Sequence, residues 1–174
     1  MRGEIASDVV WRRTPGAMFT LGSYAEAHPR LCGMVWGCED LAADVGASEN
    51  CAESQQYLPA FELARSLCLF AAAAAGVPAI DTIFTDYKDM AGLQRETSAA
   101  ERVGFTAKAA IHPAQISTIN RTSPSGAAVD WARKVVAAFA ASPEVGVVGV
   151  EGQTLDRPHL RAAQRVLART EVSQ

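Results

Sequence analysis

The residues best placed to do chemistry are Glu39 and Asp40, side by side, with Asp44 one helical turn further on. They lie in the stretch Gly33 to Gly46, GMVWGCEDLAADVG, directly after an apolar run from Leu31 to Trp36. A carboxylate in that position can hold a hard divalent cation such as Mg²⁺, and Gly37 lets the backbone come close to a ligand. The bland alternative is that Asp40 N-caps a short helix, Leu41 to Asp44. Further polar groups follow the next two apolar runs: Asp81, Asp86, Lys88 and Asp89, then His112. The four cysteines, Cys32, Cys38, Cys51 and Cys68, form no C-x-x-C pair and have no histidine at zinc-ligand spacing. Cys32, Cys38 and Cys68 sit in apolar stretches and read as buried small hydrophobes, whereas Cys51 is the exposed candidate in a polar loop.

The elements that must position these groups alternate. Asp8 to Trp11 can form a short strand. Thr14-Pro15 starts a helix, a capping hydroxyl followed by proline, with Met18, Leu21, Tyr24 and Ala25 at helical spacing up to His28-Pro29. Leu31 to Trp36 reads as a strand apolar on both faces. A long helix follows, with Leu58, Phe61, Ala64, Leu67 and Cys68 inward and Gly76 and Pro78 at its end. The pattern then predicts a strand Ala79 to Phe84, a helix Met90 to Val103 capped by Asp89 and closed by Gly104, and a strand Phe105 to Ile111. That order predicts a parallel α/β sheet whose polar groups gather at the carboxyl edge, where barrel enzymes place their chemistry. After Pro124-Ser125-Gly126, a helix with Val129, Ala132, Val135, Val136 and Phe139 inward precedes a short strand in Glu144 to Val150. Gly152, Leu155 and Asp156 lead into a last helix, Pro158 to Arg169. The glycines at 146, 149 and 152 lack dinucleotide-loop spacing.

Composition narrows the class. At 174 residues the chain can bury a substantial core. Its formal net charge of −3, with no basic patch, argues against a nucleic-acid surface. The alanine-rich run Leu67 to Ile80 is interrupted by Gly76 and Pro78, too short to span a bilayer. The N-terminus shows no signal-peptide core, and the expected location is cytoplasmic.

Three segments together are similar to one family. WGCEDLAADVGA resembles the acidic motif of the citrate lyase β-subunit-like proteins, in the group of HpcH/HpaI aldolases that includes malyl-CoA and citramalyl-CoA lyases. FTDYKDMAGLQRETSAAERVGFTAKAAIHPAQISTIN resembles the same family over a continuous run, and GQTLDRP its C-terminal motif. The similarity runs from Thr14 to Leu167. It implies a partial (β/α)8 barrel, the last three or so βα units over residues 1–122, with a C-terminal helical extension over 123–174. It further implies Mg²⁺-dependent cleavage or formation of a carbon–carbon bond between an acyl-CoA or acyl-carrier thioester and a 2-oxo acid, in homo-oligomers that are usually trimers or hexamers. Carried over residue by residue, Asp40 becomes the metal ligand and Gly37, Cys38 and Glu39 line the oxo-acid pocket. His112 and Pro113 fall in the loop near the acyl-CoA, where a turn histidine bonding backbone is the alternative. Asp156 becomes the acid–base group, commonly serving a neighbouring subunit, and is otherwise an N-cap for the last helix.

The pattern also departs from the family. A full barrel takes about 250 residues, and the chain reads as N-terminally truncated. The family's second metal carboxylate is a glutamate just before a threonine. With Thr14 as that threonine, Arg13 stands at its position, and an arginine cannot ligate Mg²⁺. Two readings follow: a Mg²⁺-dependent lyase that draws a second carboxylate from elsewhere, or a non-catalytic remnant that associates through uncovered barrel edges.

Overall fold

A computed structural model of the chain describes residues 8–25, 30–121 and 126–172. The chain divides into two compact units, Met1–Ile119 and Asn120–Gln174.

The first unit is built on a parallel sheet of four strands, β1 (Asp8–Arg12), β2 (Leu31–Trp36), β3 (Ala79–Asp81) and β4 (Ala107–Lys108), in that spatial order. Parallel neighbours need crossover connections. The principal ones are α3 (Pro59–Ala75) between β2 and β3, and α4 (Met90–Val103) between β3 and β4. Both helices end as their sequences dictate. Gly76 and Gly104 adopt left-handed φ values of 68° and 118°, and Asp89 accepts a hydrogen bond from Gly92 N–H at 2.8 Å. The core lies where Phe61, Ala64, Cys68 and Ala72 of α3 meet Met34 and Trp36 of β2. Each large apolar side chain buried there contributes roughly 1.5–3 kcal/mol.

Several expected elements are shorter than the apolar pattern suggested. The expected helix from Thr14 breaks into α1 (Pro15–Met18) and a 3₁₀ turn, Leu21–Ala25; His28 and Pro29 lie outside the described residues. Thr14 caps α1 as expected. The break comes where the Thr20 and Ser23 hydroxyls donate to the carbonyls of Ala17 and Thr20, competing with helical bonding. β3 stops at Asp81 rather than Phe84 because side chains take the next carbonyls. Lys108 Nζ donates to Thr82 O at 2.8 Å and Gln115 Nε2 to Phe84 O at 2.8 Å. β4 likewise ends by Lys108, and Gln115, fully buried, accepts from Ile111 N–H before α5 (Pro113–Arg121) begins.

The second unit packs α6 (Gly126–Ala141) and α7 (Arg157–Val172) with an antiparallel hairpin, β5 (Val147–Val150) and β6 (Gln153–Asp156). Only the first of these strands was expected from the sequence. The hairpin turns on Glu151 and Gly152, at φ 50° and 80°. Two successive positive φ values match the tight turn that twists with its strands. Ala132, Val135 and Phe139 of α6 pack with Val150, Leu155 and Ala163 to form a separate core.

Candidate functional site

The expected site residues Gly37, Cys38, Glu39 and Asp40 share one turn at the carboxyl end of β2. α2 (Cys38–Val45) begins there, three residues earlier than the Leu41 start that an Asp40 cap would require. Gly37 is the N-cap, extended at φ −108°, and offers no side chain. The capping acceptor comes from the neighbouring strand's extension, with Cys38 N–H donating to Thr82 Oγ1 at 3.2 Å. Asp40 is therefore not the N-cap of the helix. It stands in the first turn with Glu39, near the positive end of the helix dipole.

Asp40 and Glu39 have separate partners. Asp40 Oδ1 lies 3.7 Å from Arg13 Nη1, both side chains about half exposed. A Cβ on Gly37 would come within 2.6 Å of Arg13 Cγ and 2.9 Å of Asp40 Oδ2, so glycine is the residue this contact admits. Glu39 accepts from Asn50 Nδ2 at 2.9 Å and borders a cleft of about 560 Å³ with Asn50, Tyr57, Thr85 and Glu96. Cys38 is buried, and burial first, then Glu39, pushes its thiol well above the usual range. It is a wall of the turn, not a nucleophile. Cys51, expected to be exposed, is half-buried and bridged to Tyr57. Among the described residues, no three His, Cys, Asp or Glu side chains are grouped to hold a metal ion.

Sequence reasoning missed the charged cluster beneath this turn. Arg12 pairs with Trp36 across β1 and β2, and Asp81 with Lys108 across β3 and β4, so these four form one row across the sheet. Trp36 Nε1 donates to Asp81 Oδ1 at 2.9 Å, closing the row in the middle. From α3, Arg65 reaches Asp81, while Lys108 reaches both Asp81 and Glu96 of α4. Tyr57 donates to Glu96 at 3.3 Å. Asp81, Lys108 and Trp36 are buried. Burial alone would raise the Asp81 pKa, yet Lys108 and Arg65 hold it below the ordinary carboxylate range. Lys108 thus supports the acidic turn indirectly, through Thr82, whose carbonyl it binds and whose hydroxyl caps α2.

His112 and Pro113 lie at the start of α5, both exposed. His112 Nδ1 accepts from Ala114 N–H at 3.1 Å, and its ring stacks on Tyr87 with centroids 4.7 Å apart. Asp86 orders its loop, accepting from the N–H groups of Lys88 and Asp89. In the second unit, Asp156 is the last residue of β6. His159 Nδ1 lies 2.6 Å from Asp156 Oδ1, and their hydrogen bond is the main reason the carboxyl sits below its ordinary pKa.

A parallel sheet with carboxylates on the turn after a central strand places the chain in the α/β class. The chain belongs to the HpcH/HpaI aldolase/citrate lyase family, whose sequence profile matches residues 20–113. A (3S)-malyl-CoA thioesterase from Cereibacter sphaeroides is 36% identical over 151 residues, covering 83% of this chain and 50% of that protein. A citrate lyase subunit beta-like protein from Mycobacterium tuberculosis is 39% identical over 146 residues, covering 83% of this chain and 52% of its own length. The chain thus spans about half the length of the curated relatives it matches. Among solved structures, the CitE protein of Mycobacterium tuberculosis in complex with magnesium, acetoacetate and coenzyme A superposes with a TM-score of 0.81 at 34% identity. That match covers 98% of this chain and 62% of the CitE chain. No helix among the described residues is long and apolar enough to cross a membrane.

Proposed function

We propose that the chain carries the acidic-turn portion of a carbon–carbon lyase of the citrate lyase β-subunit type, on a partial (β/α)8 barrel with a C-terminal extension. The observation that carries this reading is Glu39 and Asp40 in the first turn of α2, at the carboxyl end of β2. The reaction is cleavage of a 3-hydroxyacyl-CoA, or acyl-carrier, thioester to an acetyl thioester plus a 2-oxo acid, or the reverse condensation of those two. The N–H groups of the first helical turn have no intrahelical acceptor and suit the oxo-acid carboxylate. Gly37 keeps the approach to them open.

Magnesium is bound through one or two carboxylates, the rest of its oxygen shell coming from water and substrate. Asp40, half exposed, fits as one such carboxylate once Arg13 moves off Oδ1. The ion would polarise the oxo-acid carbonyl and stabilise the alkoxide as charge moves. Cys38 walls the pocket, His112 and Pro113 border the thioester, and Asp156 is the acid–base group, delivered to a neighbouring subunit in a homo-oligomer. The test is Asp40→Asn. It abolishes Mg²⁺-dependent release of oxo acid from malyl-CoA, citramalyl-CoA or citryl-CoA while circular dichroism stays unchanged; undiminished turnover in the variant rejects the assignment.

A second reading has its own observation. Arg13 already occupies Asp40, which favours a family member that has kept the fold and lost catalysis, acting as an interaction module. Absence of Mg²⁺ binding in both the wild-type chain and Arg13→Gln would select it.

A further inference from the structure

The helix α2 starts without a cap of its own. An N-cap side chain ordinarily accepts from the N–H of the second or third helical residue. Gly37 has no side chain, so the N–H groups of Glu39 and Asp40 receive no such bond. The acceptor that α2 does receive comes from beyond β3 and goes to the first helical residue, Cys38 N–H donating to Thr82 Oγ1 at 3.2 Å. Thr82 and Cys38 are 1% and 2% exposed. A hydrogen bond shut away from water holds its geometry, because breaking it leaves a dry N–H with no partner.

Thr82 is itself fixed in place. It follows Asp81, the last residue of β3, and the pairing of Val35 with Ile80, continued two residues, sets it level with Gly37. Its carbonyl accepts from Lys108 Nζ at 2.8 Å, and Lys108 is anchored by Asp81 and Glu96. From the other neighbouring strand, Arg12 O accepts from Gly37 N–H at 2.8 Å. The two residues at which α2 begins are thus pinned from both sides. The contrast is α4, where the Asp89 carboxylate accepts from the third helical N–H, that of Gly92, and occupies it. A capping side chain at position 37 would occupy the same amide of α2.

We propose that Thr82 is a positioning residue for the oxo-acid site. Acting through Cys38 N–H, its hydroxyl fixes where α2 begins, so that the N–H groups of Glu39 and Asp40 stay both aligned and open for the carboxylate of a 2-oxo acid. This inference rests on the lyase reading above and adds to it a residue that touches neither substrate nor metal.

Calorimetry on the full chain tests it, with pyruvate as the 2-oxo acid titrated in saturating Mg²⁺, and with Mg²⁺ alone. Thr82→Val keeps the volume, removes the acceptor and weakens pyruvate binding about tenfold. It leaves the affinity for Mg²⁺ alone unchanged, because Asp40 meets the ion through its side chain. Thr82→Ser restores pyruvate binding. Thr97→Val, the same change at a buried hydroxyl that donates to Leu93 O within α4, binds both as the wild type does. Unaltered pyruvate affinity in Thr82→Val overturns the proposal. So does a loss shared by Mg²⁺ alone or by Thr97→Val, which would mean general loosening of the fold. Asp40→Asn separates the two readings: if it abolishes Mg²⁺-dependent binding while Thr82→Val does not weaken it, only the role of Thr82 falls. A wild type that binds neither ligand rejects the lyase reading and this inference with it. If Thr82→Val does not fold, amide hydrogen exchange in the wild type decides. Cys38 N–H is protected with or without ligand, and those of Glu39 and Asp40 only once Mg²⁺ and pyruvate are bound; a Cys38 amide that exchanges freely without ligand overturns the proposal.

Discussion

Arg65 grips Asp81 side-on, Nε 3.1 Å from Oδ1 and Nη2 3.3 Å from Oδ2, in the layer between α3 and the sheet. Lys108 adds a third cationic contact at 3.3 Å and Trp36 a neutral one at 2.9 Å. One carboxylate therefore ties α3 to β2, β3 and β4. A buried ion pair of this kind adds little over an apolar core of equal volume, but removing one partner leaves the others charged and dry.

Asp81→Asn is accordingly expected to destabilise the first unit by about 3–5 kcal/mol, read as a lower urea midpoint. The pH dependence has a defined sign. The folded Asp81 carboxyl titrates below its unfolded value, because Lys108 and Arg65 outweigh the upward push of burial. Its contribution is present above the unfolded pKa of about 4 and is lost as pH falls through the lower folded pKa. Wild-type stability should therefore drop below pH of about 4 more steeply than that of Asp81→Asn. Equal slopes would show that Asp81 does not titrate with folding.

This cluster marks where sequence reading stopped. The strand β2 and the caps at Thr14, Asp89, Gly76 and Gly104 were legible because local chemistry fixes them. Arg65 was passed over because the stripe of α3 was read from apolar residues alone, although position 65 is four residues from Phe61 and faces inward. A signal existed. Asp81 in PAIDTIF and Lys108 in FTAKAAI are charges set inside apolar runs, and such charges need buried partners. β6 was missed because Gly152 was read as leading into a helix rather than as half of a two-residue hairpin turn. The choice of Gly37 over Asp40 as the cap depends on Thr82, a residue 44 positions from Cys38, which local sequence cannot supply.

The buried thiols should be inert. Burial pushes Cys68 up to about 12 against the opposing influence of Arg12, and Cys38 is raised further. The thiolate is the reactive form, so iodoacetamide near pH 8 should label both far more slowly in the native chain than in urea, followed by peptide mass spectrometry. Native labelling at the unfolded rate would mean that α2 or α3 opens readily.

Asp156 and His159 form a surface pair across the start of α7. The hydrogen bond with His159 keeps the carboxyl ionised below its usual range. His159→Ala should move the Asp156 carboxyl carbon titration upward, towards an ordinary value of about 4, in a ¹³C-detected NMR series. An unmoved titration would assign the low value to the α7 N-terminus instead.

Arg13 and Asp40 set the terms on which a divalent ion can bind. Mg²⁺ needs a free carboxylate oxygen, and the Arg13 guanidinium stands 3.7 Å from Oδ1 as a competing cation. Both side chains are about half exposed, so the competition is worth only about 1 kcal/mol, roughly fivefold in affinity. Arg13→Gln should therefore tighten Mg²⁺ binding by about that factor in isothermal titration calorimetry. Asp40→Asn should remove the binding, and Gly37→Ala should disturb it, since the added Cβ would press on both the Arg13 stem and the Asp40 carboxylate. If Arg13→Gln leaves the affinity unchanged while Asp40→Asn abolishes it, Arg13 already swings clear of the carboxylate in solution. If neither change matters, the ion binds elsewhere and Asp40 is not its ligand.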